Sequence, residues 1–442
     1  MTHVVGRLLD AARRRVDGAD ALWRREERTA VAFESGRLKT VGVTEEAGIN
    51  LRVLAGGRVG VAGTTATEAD VGALVDRARA SAELGEPLDL TFPAASPLPD
   101  VATHFDTAAG ASLERLIQMG RMLVERLARE GCQVNVAVER EIVETAVGNT
   151  VGARGGYRAT GVGVTAELLR IAGDDVLMVY DQYTGAGLPG DADLDALAGS
   201  IERRLQPALT VVEPPEGALP VVFTPAGLAA VLLPLEHALS GKTVLQGTSP
   251  LAGKVGEAMF DPGLSITDDP LTPARAASRP IDDECIASRT TGLVERGIVR
   301  RFVYDLETAA RAGTRSTGHG RRGIFGKPRI AYSNLIVGDH RAPDPGPRLG
   351  GDLIADMTDG LIVDDLIGVG QGNVIGGAFS HPVALAYRVR RGEVVGRVKD
   401  AAVAGNAYDL LKRIGGVGTD GRWLGSRWSP SLLLEGVSVA RR

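Results

Sequence analysis

Cysteine is almost missing from this chain of 442 residues: Cys132 and Cys285 stand far apart and outside any C-x-x-C pattern. That excludes a disulfide framework and a cysteine-based zinc ribbon, and it fits a reducing compartment. No apolar run is long enough to cross a bilayer, since the longest, around 226–235, is short and contains Pro234. Residues 1–28 have neither a continuous apolar core nor a small-residue cleavage site, so they do not read as a signal peptide. Excess basic charge is lacking too: the net charge is −5, the sequence pI is near 5.8, and the Lys and Arg residues are scattered. A nucleic-acid partner is therefore not expected, nor a membrane, and the expected location is the cytoplasm.

What is present describes an α+β, antiparallel-sheet-rich multidomain chain with flanking helices. The composition, 44% hydrophobic and 24% charged, is that of a globular protein, and the length calls for more than one core. Three segments are expected. Residues 1–109 hold an amphipathic helix over 1–28 with Val4, Val5, Leu8, Leu9 and Ala12 on one side. A β-meander over 29–65 follows, with turns at Glu34-Ser35-Gly36, Glu45-Glu46-Ala47-Gly48 and Ala55-Gly56-Gly57-Arg58. A helix opened by Thr67 and a Pro-rich linker over 85–109 complete this part. Residues 110–217 carry helices near 112–129 and 192–205 around three strand-like runs. Residues 218–442 combine a strand at 219–223, a helix through 232–237, a hairpin about Glu295-Arg296-Gly297, a short helix from Asp305, and further strands to 439.

The stretch from Leu232 to Thr243 brings Glu236, His237 and Lys242 together, and three chemistries compete for it. Gly241-Lys242-Thr243 is the tail of a P-loop, but Glu236 occupies the place of the first glycine and would face the phosphates. A helical zinc site would use His237, yet the positions three to five residues earlier are Pro234, Leu233 and Leu232. The third reading is a metal-site helix that has kept its shape without its ligands. Elsewhere, Gly368 to Asn373 forms a glycine-dense loop without dinucleotide spacing, followed by a strand-like run. Ser316 to Arg322 gathers hydroxyls, His319 and two arginines, either as a peptide- or carboxylate-binding surface or as a solvated basic loop. Ser380-His381 has no nucleophile elbow around it. His3, His104 and His340 carry no specific signal.

Several of these segments, in order and spacing, resemble the TldD/TldE (PmbA) metallopeptidase family. The resemblance rests on Val31 to Leu38 with Ile49 to Val53, on Gly292 to Val299 with Thr308 to Arg311 and Ser316-Thr317-Gly318, and on Gly360 to Gly372 with Ala404-Gly405-Asn406. In TldD-type subunits of that family a His-Glu-x-x-x-His helix and a C-terminal Cys hold zinc. On this chain the helix falls at 232–237, where Leu232 and Leu233 replace the first His and the Glu, only His237 matches, and no cysteine follows Cys285. The resemblance thus implies a TldE-like subunit without cofactor or catalytic residues of its own. Its partner would be a zinc-bearing TldD-like chain, and together they would enclose a chamber for flexible peptides. His319, Arg321, Ser380 and His381 are the expected peptide-path residues, and Ser380-His381-Pro382 departs from the family's Ser-Arg-Gly. Two alternatives are a stand-alone homodimeric peptide-binding or scaffold protein, and a hydrolase built on His237, His319 or His381.

Overall fold

The computed structural model describes residues 2–66, 70–340 and 349–442. Helix α1, Thr2–Ala12, buries Val5, Leu8, Leu9 and Ala12, the face expected from the sequence. It does not run on to Arg28. After a turn at 13–17, strand β1 spans Gly18–Glu34 and pairs with β2, Arg37–Ala55. The physical reason is the alternation that starts at Gly18: Ala19 and Ala21 pack against α1, and Asp17 ties the turn by accepting from the Gly56 N–H at 2.7 Å. The turn expected at Glu45 to Gly48 is also absent, because β2 continues through it as one strand of 19 residues. Strand β3, Arg58–Thr64, then leads to α2, Val71–Glu83, whose N-cap is Asp70: its carboxylate accepts from the N–H groups of Gly72 and Ala73. Thr67, the expected cap, lies outside the described residues.

Helix α3, Leu113–Leu127, is capped by the Ser112 hydroxyl and precedes β4, Cys132–Asn149, β5, Arg154–Ala172, and β6, Asp175–Gly185. All six strands form one antiparallel sheet in the order β3-β2-β1-β4-β5-β6, so the segments on either side of residues 85–109 share it. Four of these strands have 17 to 19 residues and are roughly 55–65 Å long. One end of the sheet packs on α1 and α2 through Leu51, Val53, Leu74 and Val75. The other end packs on α3 and on α4, Asp191–Ala208, through Val136, Val164, Leu116 and Ile201. Between the two cores lies a polar waist, where exposed Arg28 pairs with Glu139 on one face and the largely buried Arg140 pairs with Glu27 on the other.

The last segment contains a closed ring of five strands. Strand β7, Gly217–Phe223, pairs in parallel with β8, Asp359–Leu366, which pairs with β9, Ala378–Arg390. Beyond the ring, β10, Glu393–Val398, extends β9; the single strand expected over 394–403 is broken at Asp400, where φ is +51°. Strands β11, Ala401–Asn406, and β12, Leu432–Arg441, close the ring back to β7. Alternation along β7 and β8 divides their side chains between two cores. Val221, Phe223, Leu361 and Val363 face inward to helix α5, Ala229–Ala238, whereas Val222 and Ile362 face the core of the N-terminal sheet. Each fully buried side chain of this kind contributes about 1.5–3 kcal/mol. The hairpin turn about Glu295-Arg296-Gly297 and the short helix Leu306–Arg311 capped by Asp305 lie where the sequence placed them, but the hairpin strands are only Thr291–Glu295 and Ile298–Val299, not the expected runs over 286–293 and 298–303. No helix among the described residues is long and apolar enough to cross a membrane.

Candidate functional site

Helix α5 carries Leu232, Leu233 and His237, and the three point to different surroundings. Leu232 is buried against Leu235, Leu239, Ile266 and Leu335. Leu233 lines a cleft of about 120 Å³ between the helix and the glycine loop, together with Gly370, Phe379, Ser380 and His381. His237 is exposed near the end of the helix, and its carbonyl accepts from the Thr243 hydroxyl at 2.7 Å. Two of the three positions thus offer hydrocarbon where a metal needs lone pairs, so this donor set does not fit zinc. Among the described residues, no group of three or more His, Cys, Asp or Glu could hold a metal ion. The Gly241-Lys242-Thr243 stretch is a short helix whose Gly241 sits against the Tyr304 ring, with no room there for a phosphate.

Two tyrosines fix α5. The Tyr408 hydroxyl lies 2.7 Å from the Ile375 carbonyl and 3.1 Å from that of Pro234, so one side chain ties the helix to the glycine loop. The Tyr332 hydroxyl donates to the Glu236 carbonyl at 2.7 Å. Gly377 has φ +77°, and an added Cβ would lie 2.5 Å from the Tyr408 ring, so only glycine fits this corner. Gly368, Gly370 and Gly372 also have positive φ, and residues 370–373 are exposed. Neither tyrosine stood out in the sequence; their role depends on contacts with residues 33 and 96 positions or more away.

The expected peptide-path residues separate into two places. Ser380 and His381 sit near the start of β9 beside Leu233. The His381 ring stacks on Phe379 with centroids 5.9 Å apart, and burial holds its pKa below the usual imidazole range. His319 is not on a solvated loop: it is 2% exposed, with Nε2 3.1 Å from Asp268 Oδ2 and Nδ1 2.9 Å from the Thr317 hydroxyl. The Ser333 N–H and hydroxyl donate to the same Asp268 carboxylate at 2.7 and 2.6 Å, completing its shell. Arg321, partly exposed, ion-pairs with Asp283 at 3.2 Å and donates to the Tyr157 hydroxyl at 3.1 Å. A path over this loop would therefore touch Arg321 and leave His319 in the core. A larger cavity of about 320 Å³ lies apart from these residues, beside α4 and Trp423. Its buried carboxylates Asp181 and Asp364 are already bound by Arg204 and Arg422, which marks it as a structural junction.

Residues 216–441 match the PmbA/TldA metallopeptidase C-terminal domain, and residues 19–82 match domain 1 of the same group. The chain belongs to the PmbA/TldA metallopeptidase family. Among its relatives, a metalloprotease of Methanothermobacter thermautotrophicus is 32% identical over 52% of this chain and 49% of its own length. A TldD-homologous metalloprotease of Haemophilus influenzae is 29% identical over 51% of this chain and 46% of its own. The chain therefore spans about half the length of the curated relatives it matches. Across the whole fold, TldE from Thermococcus kodakarensis superimposes with a TM-score of 0.87 at 24% identity, covering 98% of this chain and 99% of that one. At that identity the likeness is one of fold. Within the PmbA/TldA family, then, this chain has Leu232 and Leu233 on the helix beside the glycine loop, with His237 exposed near the helix end.

Proposed function

We propose that this chain is a zinc-free, TldE-like subunit that completes a cytoplasmic metallopeptidase with a separate TldD-like chain carrying His-Glu-x-x-x-His. The observation that supports this reading most directly is the placement of Leu232 in the hydrophobic core and Leu233 against the glycine loop. Neither can ligate a metal or accept a proton from water. The helix and loop are nevertheless kept and cross-tied by Tyr408, as a surface would be that frames a chamber without doing chemistry. Zinc would reside in the partner, and flexible peptides would enter between the two chains and meet Ser380, His381 and Arg321 on this side. Extended peptides suit sheet-rich walls, which can hold them through backbone hydrogen bonds.

The test is affinity purification of the chain from its own cells, with mass spectrometry and metal analysis of what is recovered. A near-stoichiometric homologue bearing His-Glu-x-x-x-His, with zinc in that chain alone, is expected. If the isolated chain binds one zinc and hydrolyses peptides, the reading is wrong.

A further inference from the structure

The junction beside α4 and Trp423 encloses more room than its ion pairs use. One stripe of α4, from Ala196 to Arg203, forms a wall; β6 brings Tyr183, and Trp423 comes from the C-terminal part of the chain. The space between them, about 320 Å³, falls within the range of small-molecule pockets, about 300–1,000 Å³. Roughly ten water-sized groups fill such a volume.

The polar groups around this space are unevenly spent. The acceptors are largely taken: Asp181 is held by Arg204 and Arg422, Asp364 by Arg204 and the Thr224 hydroxyl, and Asp420 by the N–H and hydroxyl of Ser431. Asp193, exposed near the start of α4, accepts from the Gly190 N–H at 2.8 Å through one oxygen. The donors are not taken. Arg203 has no hydrogen bond or ion pair among the described residues, and the Gln182 amide and the Trp423 indole N–H have no hydrogen-bond partner there either. Arg275 lies over the Trp423 ring, its Cζ 4.2 Å from the centroid, and meets no carboxylate among the described residues. Its Nε is buried without a partner, and burial lowers its pKa to about 10. Two guanidinium groups without carboxylates thus stand at a cavity whose buried carboxylates, Asp181 and Asp364, are already neutralised.

Open donors and uncompensated positive charge select an anion, while the rings of Trp423 and Tyr183, with Leu197 and Pro225, select a planar apolar body. We propose that this cavity binds a small aromatic carboxylate of about ten non-hydrogen atoms, its carboxylate on Arg203 and its ring against Trp423. Because Thr224 and Asp364 belong to the C-terminal ring and Tyr183 and Arg203 to the N-terminal sheet and its helix, an occupant braces the two against each other.

Isothermal titration calorimetry of the full chain with phenylacetate, a compound of that size, tests this against phenylacetamide, which has the same shape without the charge. Phenylacetate should bind once per chain with a dissociation constant of about 1 mM or below, and the amide about tenfold more weakly. Arg203→Gln, at an exposed position, should weaken the acid about tenfold and leave the amide unchanged. Ala196→Phe, exposed on the cavity's rim, should abolish binding of both, with circular dichroism confirming that each variant folds. The proposal is overturned if neither compound binds at about 10 mM, if acid and amide bind alike, or if the acid binds both variants as it binds the wild type. N-acetylglycylphenylalanine in the same titration separates two sources of the ligand. Tighter binding than phenylacetate supports the site with a peptide C-terminus as occupant, and weaker binding supports it with a free acid. Metal content, by which the zinc-free reading is judged, enters none of these readouts.

Discussion

Arg52, fully buried in the N-terminal sheet, reaches across to Glu284 of the last segment, with Nη1 2.7 Å from Oε1. The same guanidinium also holds Asp20, to which Arg322 donates at 2.8 Å, while the Leu306 N–H donates to the other Glu284 oxygen at 2.7 Å. One cation thus serves two buried carboxylates from different parts of the chain. Arg52→Ala would leave Asp20 with Arg322 alone and strip Glu284 of its Arg52 hydrogen bond, and the expected loss is about 3–5 kcal/mol in urea unfolding. Arg52→Lys should recover only part of it, since an ammonium cannot fork between the two.

The same junction sets a pH dependence. Burial, with Asp282, Asp305 and Asp20 nearby, pushes the Glu284 carboxyl up to about 8 despite Arg52, well above its usual value. A raised native pKa means that the stabilising contribution is complete in acid and is lost as the pH climbs towards 8. Asp20 is shifted the other way by Arg322 and Arg52, which outweigh burial, and it matters only in stronger acid. Glu284→Gln should therefore gain on the wild type as the pH rises from 5 to 8, read as the difference between urea midpoints. A difference that stays flat across that range would contradict the assignment.

Tyr408→Phe removes the hydroxyl that joins α5 to the glycine loop. The expected cost is about 1 kcal/mol, with faster amide exchange concentrated in residues 368–377. Gly377→Ala should produce the same local opening at a larger cost, about 1–3 kcal/mol, because it combines positive φ with the clash against the Tyr408 ring.

The histidines should divide by environment. His319→Ala leaves Asp268 with one partner fewer in the core and should cost on the order of 2 kcal/mol in thermal or urea unfolding. His381→Ala, at the mouth of the cleft, should change stability by less than about 0.5–1 kcal/mol. If the two variants melt alike, His319 is not the core residue its contacts make it.

Much of the fold could be read from periodicity wherever one face of an element is buried. The stripe of Val5, Leu8, Leu9 and Ala12, the helix starts near Ser112 and Asp305, and the strand-like runs that form β4 and β5 are of this kind. The reading failed at 18–28, where a strand stands in place of the expected helix, and at 45–48, where consecutive Glu45 and Glu46 are both exposed and carry no period of two. That Leu232 and Leu233 cannot hold a metal was legible from residue type alone. The burial of His319 was not, because it depends on Asp268, 51 positions away in sequence and adjacent only in the folded chain.

The ring of five strands has a temporal side. Strand β7 finds its parallel neighbour β8 only after more than a hundred further residues, and its other neighbour β12 after roughly two hundred. At the usual pace of about 5–20 residues per second on the ribosome, that is a wait of roughly 10–40 s. Throughout it, Val221 and Phe223 await a core whose residues lie almost wholly later in the chain, while Val222 faces one built largely from residues before it. A nascent chain in that state is a natural client for a holding chaperone, and its yield in cells should depend on chaperone supply more than the finished molecule's stability would suggest.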